Sequence, residues 1–393
     1  MMKSGWCRSY CALCRCGTEI IVSFGVKIVS NRIKSYQFCL IRCIFHLMKE
    51  RVYNFELALD WKLLRIISQI DRFDASWATI EKIEGQSLKQ LKSVATIQSV
   101  GASTRIEGSR LSNTEVETLL SNLDITKIED RDSQEVVGYF NVLDLIIESF
   151  NEIKINENTI KNLHNQLLKY STKDEWHRGD YKQHANAVEA NFPDGSKQII
   201  FKTTDPGFAT EDAMRNLIAW YKEETEVHPL IRTAAFVYDF VSIHPFQDGN
   251  GRLSRLLTTL ALLQSGYQWI QYVSFENEIE ARKQEYYRSL RNCQAQRPNE
   301  EITEWINFFL DSLISVQEKL DQKLNLVSVK NNLAPRERAI YTYISSNPGC
   351  KSGEIAEALE VPNPTIKRIL TKLVSQDLIE RFGEGAGTNY SIK

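Results

Sequence analysis

Apolar positions along this chain repeat at helical spacing over most of its length. Leu57, Leu59, Leu63, Leu64, Ile66, Ile67 and Ile70 predict helices from residue 50 to about 125. A second region, about 133 to 325, reads as helical with one interruption. Within it Ile231, Ala234, Ala235, Phe236, Val237, Phe240, Val241 and Ile243 leave almost no polar face, so this helix is expected to be buried on most sides. Leu253, Leu256, Leu257, Leu260 and Leu263 set the next helix, and Trp305, Ile306, Phe308, Phe309, Leu310 and Leu313 mark a strongly packed late one. The interruption begins at Gly179-Asp180-Tyr181. Ala187 to Phe192 and Gln198 to Thr203 then flank Pro193-Asp194-Gly195-Ser196, where Asp-Gly predicts the turn of a β-hairpin.

Near Leu333 the pattern changes. Pro335 to Ser346 predicts a helix, broken at Asn347-Pro348-Gly349. Ser352 is expected to cap a short helix from Gly353 to Leu359. After Pro362-Asn363-Pro364 a third helix runs to about Ser375, and Leu378 to Phe382 and Asn389 to Ile392 predict two strands around a Gly-rich turn. Three helices and a hairpin resemble a winged helix, whose third helix enters the major groove of DNA. Here that helix would offer Asn363, Thr365, Lys367, Arg368 and Lys372. Residues 333–393 carry eight basic and seven acidic residues, a thin electrostatic footprint for DNA, so a protein partner stands beside DNA as an expectation. The expected fold is mainly α. Its divisions are 1–47, a helical region 48–132, a helical core 133–325 with a β-hairpin flap, and a winged helix 333–393.

Composition changes this picture only at the start of the chain. A content of 42% apolar and 25% charged residues in 393 describes a globular protein long enough for two or three domains. The formal charge is −2. Residues 1–47 hold seven Lys/Arg and one acidic residue, so the remainder carries 41 basic and 49 acidic residues and is mildly acidic, unlike a non-specific nucleic-acid binder. Six of the eight cysteines, Cys7, Cys11, Cys14, Cys16, Cys39 and Cys43, lie in the same stretch, but not at zinc-ribbon spacing. Cysteines and charges also interrupt any signal-peptide apolar region. Residues 1–47 are therefore expected to be disordered or absent from the mature protein, with Met48 as the true start. No run of about twenty apolar residues suggests a membrane span, and a reducing cytoplasm is expected.

The chemistry is concentrated in His244-Pro-Phe-Gln-Asp-Gly-Asn-Gly-Arg-Leu-Ser-Arg255. Pro245 stops the preceding helix, Gly249 and Gly251 free the backbone, and the next helix begins at once. A loop feeding a helix N-terminus presents unpaired N–H groups to an anion. His244 can accept a proton near neutral pH. Asp248 can hold Mg²⁺ against phosphate oxygens. Gly249, Asn250 and Gly251 can donate backbone or amide hydrogen bonds to a diphosphate, and Arg252 and Arg255 can neutralise its charge. Phe246 reads as an anchor for the loop.

This run matches the Fic family signature His-x-Phe-x-(Asp/Glu)-Gly-Asn-Gly-Arg-x-x-Arg without departure, and the likeness extends over roughly residues 50 to 325. The resemblance implies an all-helical core that transfers AMP from ATP to a Ser, Thr or Tyr hydroxyl of a protein. It implies His244 as general base, Asp248 as Mg²⁺ ligand, Gly249, Asn250 and Gly251 as phosphate loop, and Arg252 and Arg255 at the β- and γ-phosphates. Doc-type phosphotransferases carry Lys where this chain has Gly251, which favours nucleotidyl transfer. Upstream, Ser103-Thr-Arg-Ile-Glu107-Gly108 resembles the family's inhibitory pattern (Ser/Thr)-x-x-x-Glu-(Gly/Asn). That implies a Glu107–Arg255 ion pair blocking the γ-phosphate. Gly108 is equally readable as a helix C-cap. The hairpin at about 186–203 resembles the family's flap, which takes a target segment by strand addition.

The leading expectation is thus an ATP- and Mg²⁺-dependent protein adenylyltransferase held inactive by Glu107. A hydrolase that removes AMP, with Glu107 aligning water, uses the same site. An ATP-sensing transcriptional regulator with the winged helix as output is the reading from another class. A homodimer is compatible with all three.

Overall fold

The computed structural model describes residues 49–83, 85–122, 128, 130–191 and 197–392, with backbone alone at 49–51, 82–83, 85–87, 187–191, 197–200, 325–332 and 386. The basic stretch 1–47 and the Asp194-Gly195 turn lie outside the described residues.

The first element departs from the helix expected there. β1 (Lys49–Val52) and β2 (Phe55–Ala58) form an antiparallel hairpin, turning at Tyr53 with φ 58°. Its stability comes from far along the chain. The Glu56 N–H donates to Glu300 O and the Ile302 N–H donates to Glu56 O, both at 2.9 Å. Phe55 and Leu57 are both buried, which is the two-residue period of a strand. Local apolar spacing cannot report a partner that distant.

Helices follow: α1 (Trp61–Ile83), α2 (Gly85–Ile106), α3 (Asn113–Ser121), α4 (Arg131–Ser149) and α5 (Glu157–Leu167). Ser112, Asp130 and Asn156 cap the last three, each side chain accepting a first-turn N–H. Residues 168–178, expected to be helical, are instead irregular. Local bonds there compete with the helix ladder: Ser171 Oγ donates to Asp174 at 2.6 Å, and Gly179 takes φ 86°. The flap hairpin pairs β3 (Ala187–Asn191) with β4 (Lys197–Lys202), bulged between Val188 and Glu189. Then come α6 (Phe208–Glu223), α7 (Pro229–Ile243), α8 (Asn250–Gln264), a 3-10 turn Gln268–Tyr272, α9 (Phe275–Ala281), α10 (Lys283–Gln294) and α11 (Thr303–Asn332). The architecture is mainly α.

The core is built around α7 and α8, which pack on each other. Every residue of α8 from Asn250 to Leu263 except Gly251 is buried. α2 lies against α4 and α9, and α4 against α5 and α8. One close approach fixes the α4–α5 pair. A Cβ on Gly138 would fall on the Leu167 carbonyl oxygen. Gly138→Ala is therefore expected to lower unfolding stability by about 3 kcal/mol despite its better helix propensity. Urea unfolding checks this; an unchanged midpoint would show that the two helices can separate freely.

Residues 333–392 hold their own apolar cluster, including Ile340, Ile344, Ile355, Ile366, Ile369, Leu373 and Ile379. It is built by α12 (Pro335–Ser346), α13 (Ser352–Ala358), α14 (Asn363–Ser375), β5 (Ile379–Phe382) and β6 (Asn389–Ile392). The expected cap is corrected by one position. Ser352 is the first helical residue, and Lys351 precedes the helix with its N–H donated to Glu354 at 2.9 Å.

Candidate functional site

α7 ends because Pro245 excludes helical geometry at His244. His244 instead caps the helix in the left-handed region, φ 54° and ψ 60°, a conformation that costs a non-glycine residue about 1 kcal/mol. Its backbone N–H still donates to Phe240 O at 3.0 Å. Its Nδ1 lies 3.3 Å from Val241 O, so Nδ1 carries the proton and Nε2 keeps its lone pair. Burial, with Lys182 nearby, pushes its pKa down to about 4, against the pull of Glu107 and Asp248. The imidazole is therefore neutral at physiological pH, as a general base requires.

The loop after His244 is fastened from three sides. Asn250 Oδ1 accepts the Phe246 N–H at 2.9 Å and its Nδ2 donates to Phe246 O at 2.7 Å. Asn186 Nδ2, at the foot of the flap, donates to the same carbonyl at 2.9 Å. The Phe246 ring is fully buried and stacks on His164, centroids 3.8 Å apart and planes 11° from parallel. The Phe246 ring thus sits in the core while its backbone N–H and carbonyl hold the loop to Asn250 and Asn186. Of the backbone and amide donors expected of Asn250, one amide hydrogen is bonded to Phe246 O, which leaves its backbone N–H and the second amide hydrogen for an anion.

His164 was not anticipated. The Gly179 N–H donates to its Nδ1 at 2.9 Å, which places the ring proton on Nε2, 3.0 Å from Asp248 O. Burial holds its pKa at about 4. A buried polar ring at one helical position leaves no periodic signal. The linkage has a definite sign. The folded pKa lies below the ordinary histidine value of about 6.5, so the unfolded chain binds the proton more readily between them. Stability from His164 is full above about pH 6.5 and is lost as pH falls toward 4. Lowering pH from 6.5 to 5 is expected to cost roughly 2 kcal/mol through this residue. His244 is lowered in the same way, so urea unfolding of the His244→Ala variant at the two pH values tests it, and equal midpoints would rule it out.

Gly249 takes φ 77° and opens α8 with no side-chain cap. The first-turn N–H groups of this fifteen-residue helix therefore lack intrahelical partners. Asp248 stands beside them, partly exposed, accepting from Gly249 N at 2.6 Å and Arg252 Nη2 at 3.2 Å. Burial opposes its ionisation, but Arg252 and the Gly249 N–H outweigh burial, so its pKa lies below the usual range. Arg252 is buried between that carboxylate and Glu135, whose Oε2 is 3.3 Å from Nη1. The two motif arginines are thus unequal: Arg252 is built into the wall, not free on a face.

Arg255 is engaged from α2. Its Nε donates to Ser103 Oγ at 2.7 Å, and its Nη2 donates to Ser103 O at 3.0 Å and Glu107 Oε1 at 2.8 Å. Burial opposes the charge on Glu107, but Arg255 and Arg252 prevail and lower its pKa. The same carboxylate abuts the start of α8, since a Cβ on Gly251 would collide with Glu107 Oε1. One carboxylate thus sits on the guanidinium and at the helix N-terminus, both natural seats for a phosphate.

Comparison with known proteins finds similarity in two parts of the chain. Residues 154–262 match the model of the Fic/DOC family, and residues 333–380 that of a winged helix-turn-helix DNA-binding family. Protein adenylyltransferase fic-1 of Caenorhabditis elegans is 24% identical over 299 residues, 71% of this chain and 53% of that protein. Protein adenylyltransferase Fic of Drosophila grimshawi is 25% identical over 266 residues, 62% and 50% respectively. The chain thus spans about half the length of the curated relatives it matches. A crystal structure of a Fic family protein from Desulfovibrio desulfuricans G20 shares the fold, with TM-score 0.56, 22% identity, and coverage of 85% of this chain and 97% of that one. Fic-1 from Caenorhabditis elegans gives TM-score 0.50 at 17% identity, covering 76% and 77%.

Proposed function

With residues 154–262 a Fic domain and residues 333–380 a winged helix-turn-helix as the premise, we propose that this protein transfers AMP from ATP to a hydroxyl of a target protein and that Glu107 restrains it. The observation that carries the reading is the seat of Glu107: its carboxylate occupies Arg255 and the start of α8, in the motif that also holds the neutral His244. In the reaction His244 Nε2 takes the proton of the target hydroxyl, the hydroxyl oxygen bonds to the α-phosphorus, and the bond to pyrophosphate breaks. Asn250 and Gly251 supply backbone N–H groups to the phosphates, joined by Gly249 once its N–H leaves Asp248 Oδ1. Arg255, once released, meets the terminal one, and Arg252 adds fixed charge from beneath.

Asp248 fits a Mg²⁺ ligand because it is ionised and partly exposed. Among the described residues no group of three His, Cys, Asp or Glu encloses a metal. That suits Mg²⁺, which commonly takes one or two carboxylates and completes its shell with water and substrate phosphates; bound there, it would neutralise phosphate charge. The flap, β3 and β4, would receive the target as an added strand. The winged helix exposes Lys367 and Arg368 on α14, while Lys372 is tied to Glu337 at 2.7 Å, so DNA or a protein is its partner. No described helix is long and apolar enough to cross a membrane. Free, buried Cys293 and Cys350 accord with the cytoplasm. An AMP-removing or purely sensory role is less well served: Glu107 is held by Arg255, and a sensor has no use for a neutral base.

The test is incubation of the protein with Mg²⁺ and α-labelled ATP, alone and with cell extract, read by gel and mass spectrometry. The expected product is protein bearing an AMP mass increment, strongest with Glu107→Gly. ATP binding without label in any form would overturn the reading in favour of a sensor.

A further inference from the structure

Lys182 lies in the irregular stretch between α5 and the flap. Its side chain is buried, with the residue 2% exposed. Its backbone N–H donates to Pro245 O at 2.8 Å, and its ammonium donates to Ile243 O at 3.0 Å. Those two carbonyls belong to the residues on either side of His244. The ammonium also donates to Asn186 Oδ1 at 3.0 Å and Thr203 Oγ1 at 2.9 Å, the residues at the two feet of the flap hairpin. Three donors are then fully used. None of these bonds is to a carboxylate, and burying a cation on neutral oxygens alone costs stability. Burial draws the lysine pKa down to about 8, so the cost is expressed in its titration.

We propose that Lys182 is a positioning residue for His244: it brackets the histidine from both sides and ties it to the flap that presents the target hydroxyl. The left-handed peptide at His244 has no glycine to relax it, and the bracket supplies the restraint. The same ammonium acts electrostatically. Among the charged groups that act on the imidazole, Lys182 from the loop disfavours the imidazolium, whereas Glu107, just past the end of α2, and Asp248 from the motif favour it. This inference rests on the adenylyl-transfer reading for its consequence, but its geometry does not.

The test uses the full chain as Lys182→Met and Lys182→Arg, with thermal melting to verify folding. In histidine-labelled protein the His244 ring is titrated by NMR, with His244→Ala for assignment. Lys182→Met is expected to raise the His244 midpoint by about one pH unit, while Lys182→Arg, keeping the charge, leaves it in place. In the Glu107→Gly background, Lys182→Met is expected to lower kcat for AMP transfer by about tenfold, with KM for ATP within about twofold. A midpoint that does not move, or a kcat within about twofold, overturns the proposal. If Glu107→Gly protein transfers no AMP at all, the functional reading has failed, and the titration alone decides whether Lys182 acts on His244.

Discussion

His244→Ala, compared within the Glu107→Gly background, is expected to lower kcat for AMP transfer by roughly 10²–10⁴-fold, the usual contribution of a positioned general base. The structure gives this expectation its shape. Nδ1 is spent on Val241 O, so the alanine variant removes the one lone pair available for the hydroxyl proton. KM for ATP should change little, because the phosphates meet backbone N–H groups and arginines rather than the imidazole. The pH profile carries a second signature. Burial holds His244 near 4, so the acid limb of kcat/KM should fall well below pH 6.5, and wild-type base function should persist at pH 5.5. A variant that keeps more than a tenth of the activity, or a parent profile that already collapses near pH 6.5, would show that His244 is not the base in this state.

Glu107→Gly is expected to raise transfer by about a hundredfold, which corresponds to a restraint of roughly 2.7 kcal/mol on the competent state. The resting carboxylate uses Arg255 Nη2 and abuts the start of α8, so a terminal phosphate cannot share either seat. Removing one partner of a fully buried pair costs about 3–5 kcal/mol. Here the Glu107 side chain is 31% exposed and Ser103 keeps two bonds to Arg255, so the stability loss should be well under that figure. ATP with Mg²⁺ should then raise the melting temperature more in Glu107→Gly than in wild type, because ligand binding to the native state alone stabilises it. The lowered pKa of Glu107 adds a sign. Its folded value lies below the unfolded one, so the pair is intact above pH 4.5 and is lost only as pH falls through the folded value. Mild acidification to pH 5.5 should not activate wild type. Equal transfer by Glu107→Gly and wild type, or activation of wild type at pH 5.5, would remove Glu107 as the restraint.

The contrast between Asn250 and His164 shows how far a sequence reading reaches. The motif placed Asn250 beside the phosphates, and the helix start at that residue follows from local rules: Pro245 ends α7, Gly249 takes φ 77°, and leucine spacing sets α8. Its amide, however, also clamps the loop through two bonds with the Phe246 backbone, and nothing in the sequence separates a loop clamp from a ligand donor. His164 and Lys182 carry no local mark at all. Each stands among other polar residues, Asn162, Asn165 and Gln166 around His164 and Asp180, Gln183 and His184 around Lys182, and each acquires meaning only from a carbonyl brought close by the fold.

The amino-acid sequence by itself determined the mainly helical architecture, the flap hairpin, the three helices and two strands at 333–393, and the convergence of histidine, carboxylate, glycines and arginines in one loop and the helix it feeds. These follow from periodicity, proline and glycine geometry and short spacing, which act within a few residues. Tertiary structure alone decided that residues 49–58 are a hairpin, because their partners are Glu300 and Ile302. It also decided that Arg252 lies in the wall beside Glu135 while Arg255 meets α2, although both stand on the same helix. Hydrogen bonds and ion pairs across the core depend on which groups packing brings within about 3 Å, and that distance is a property of the folded chain rather than of any segment of it.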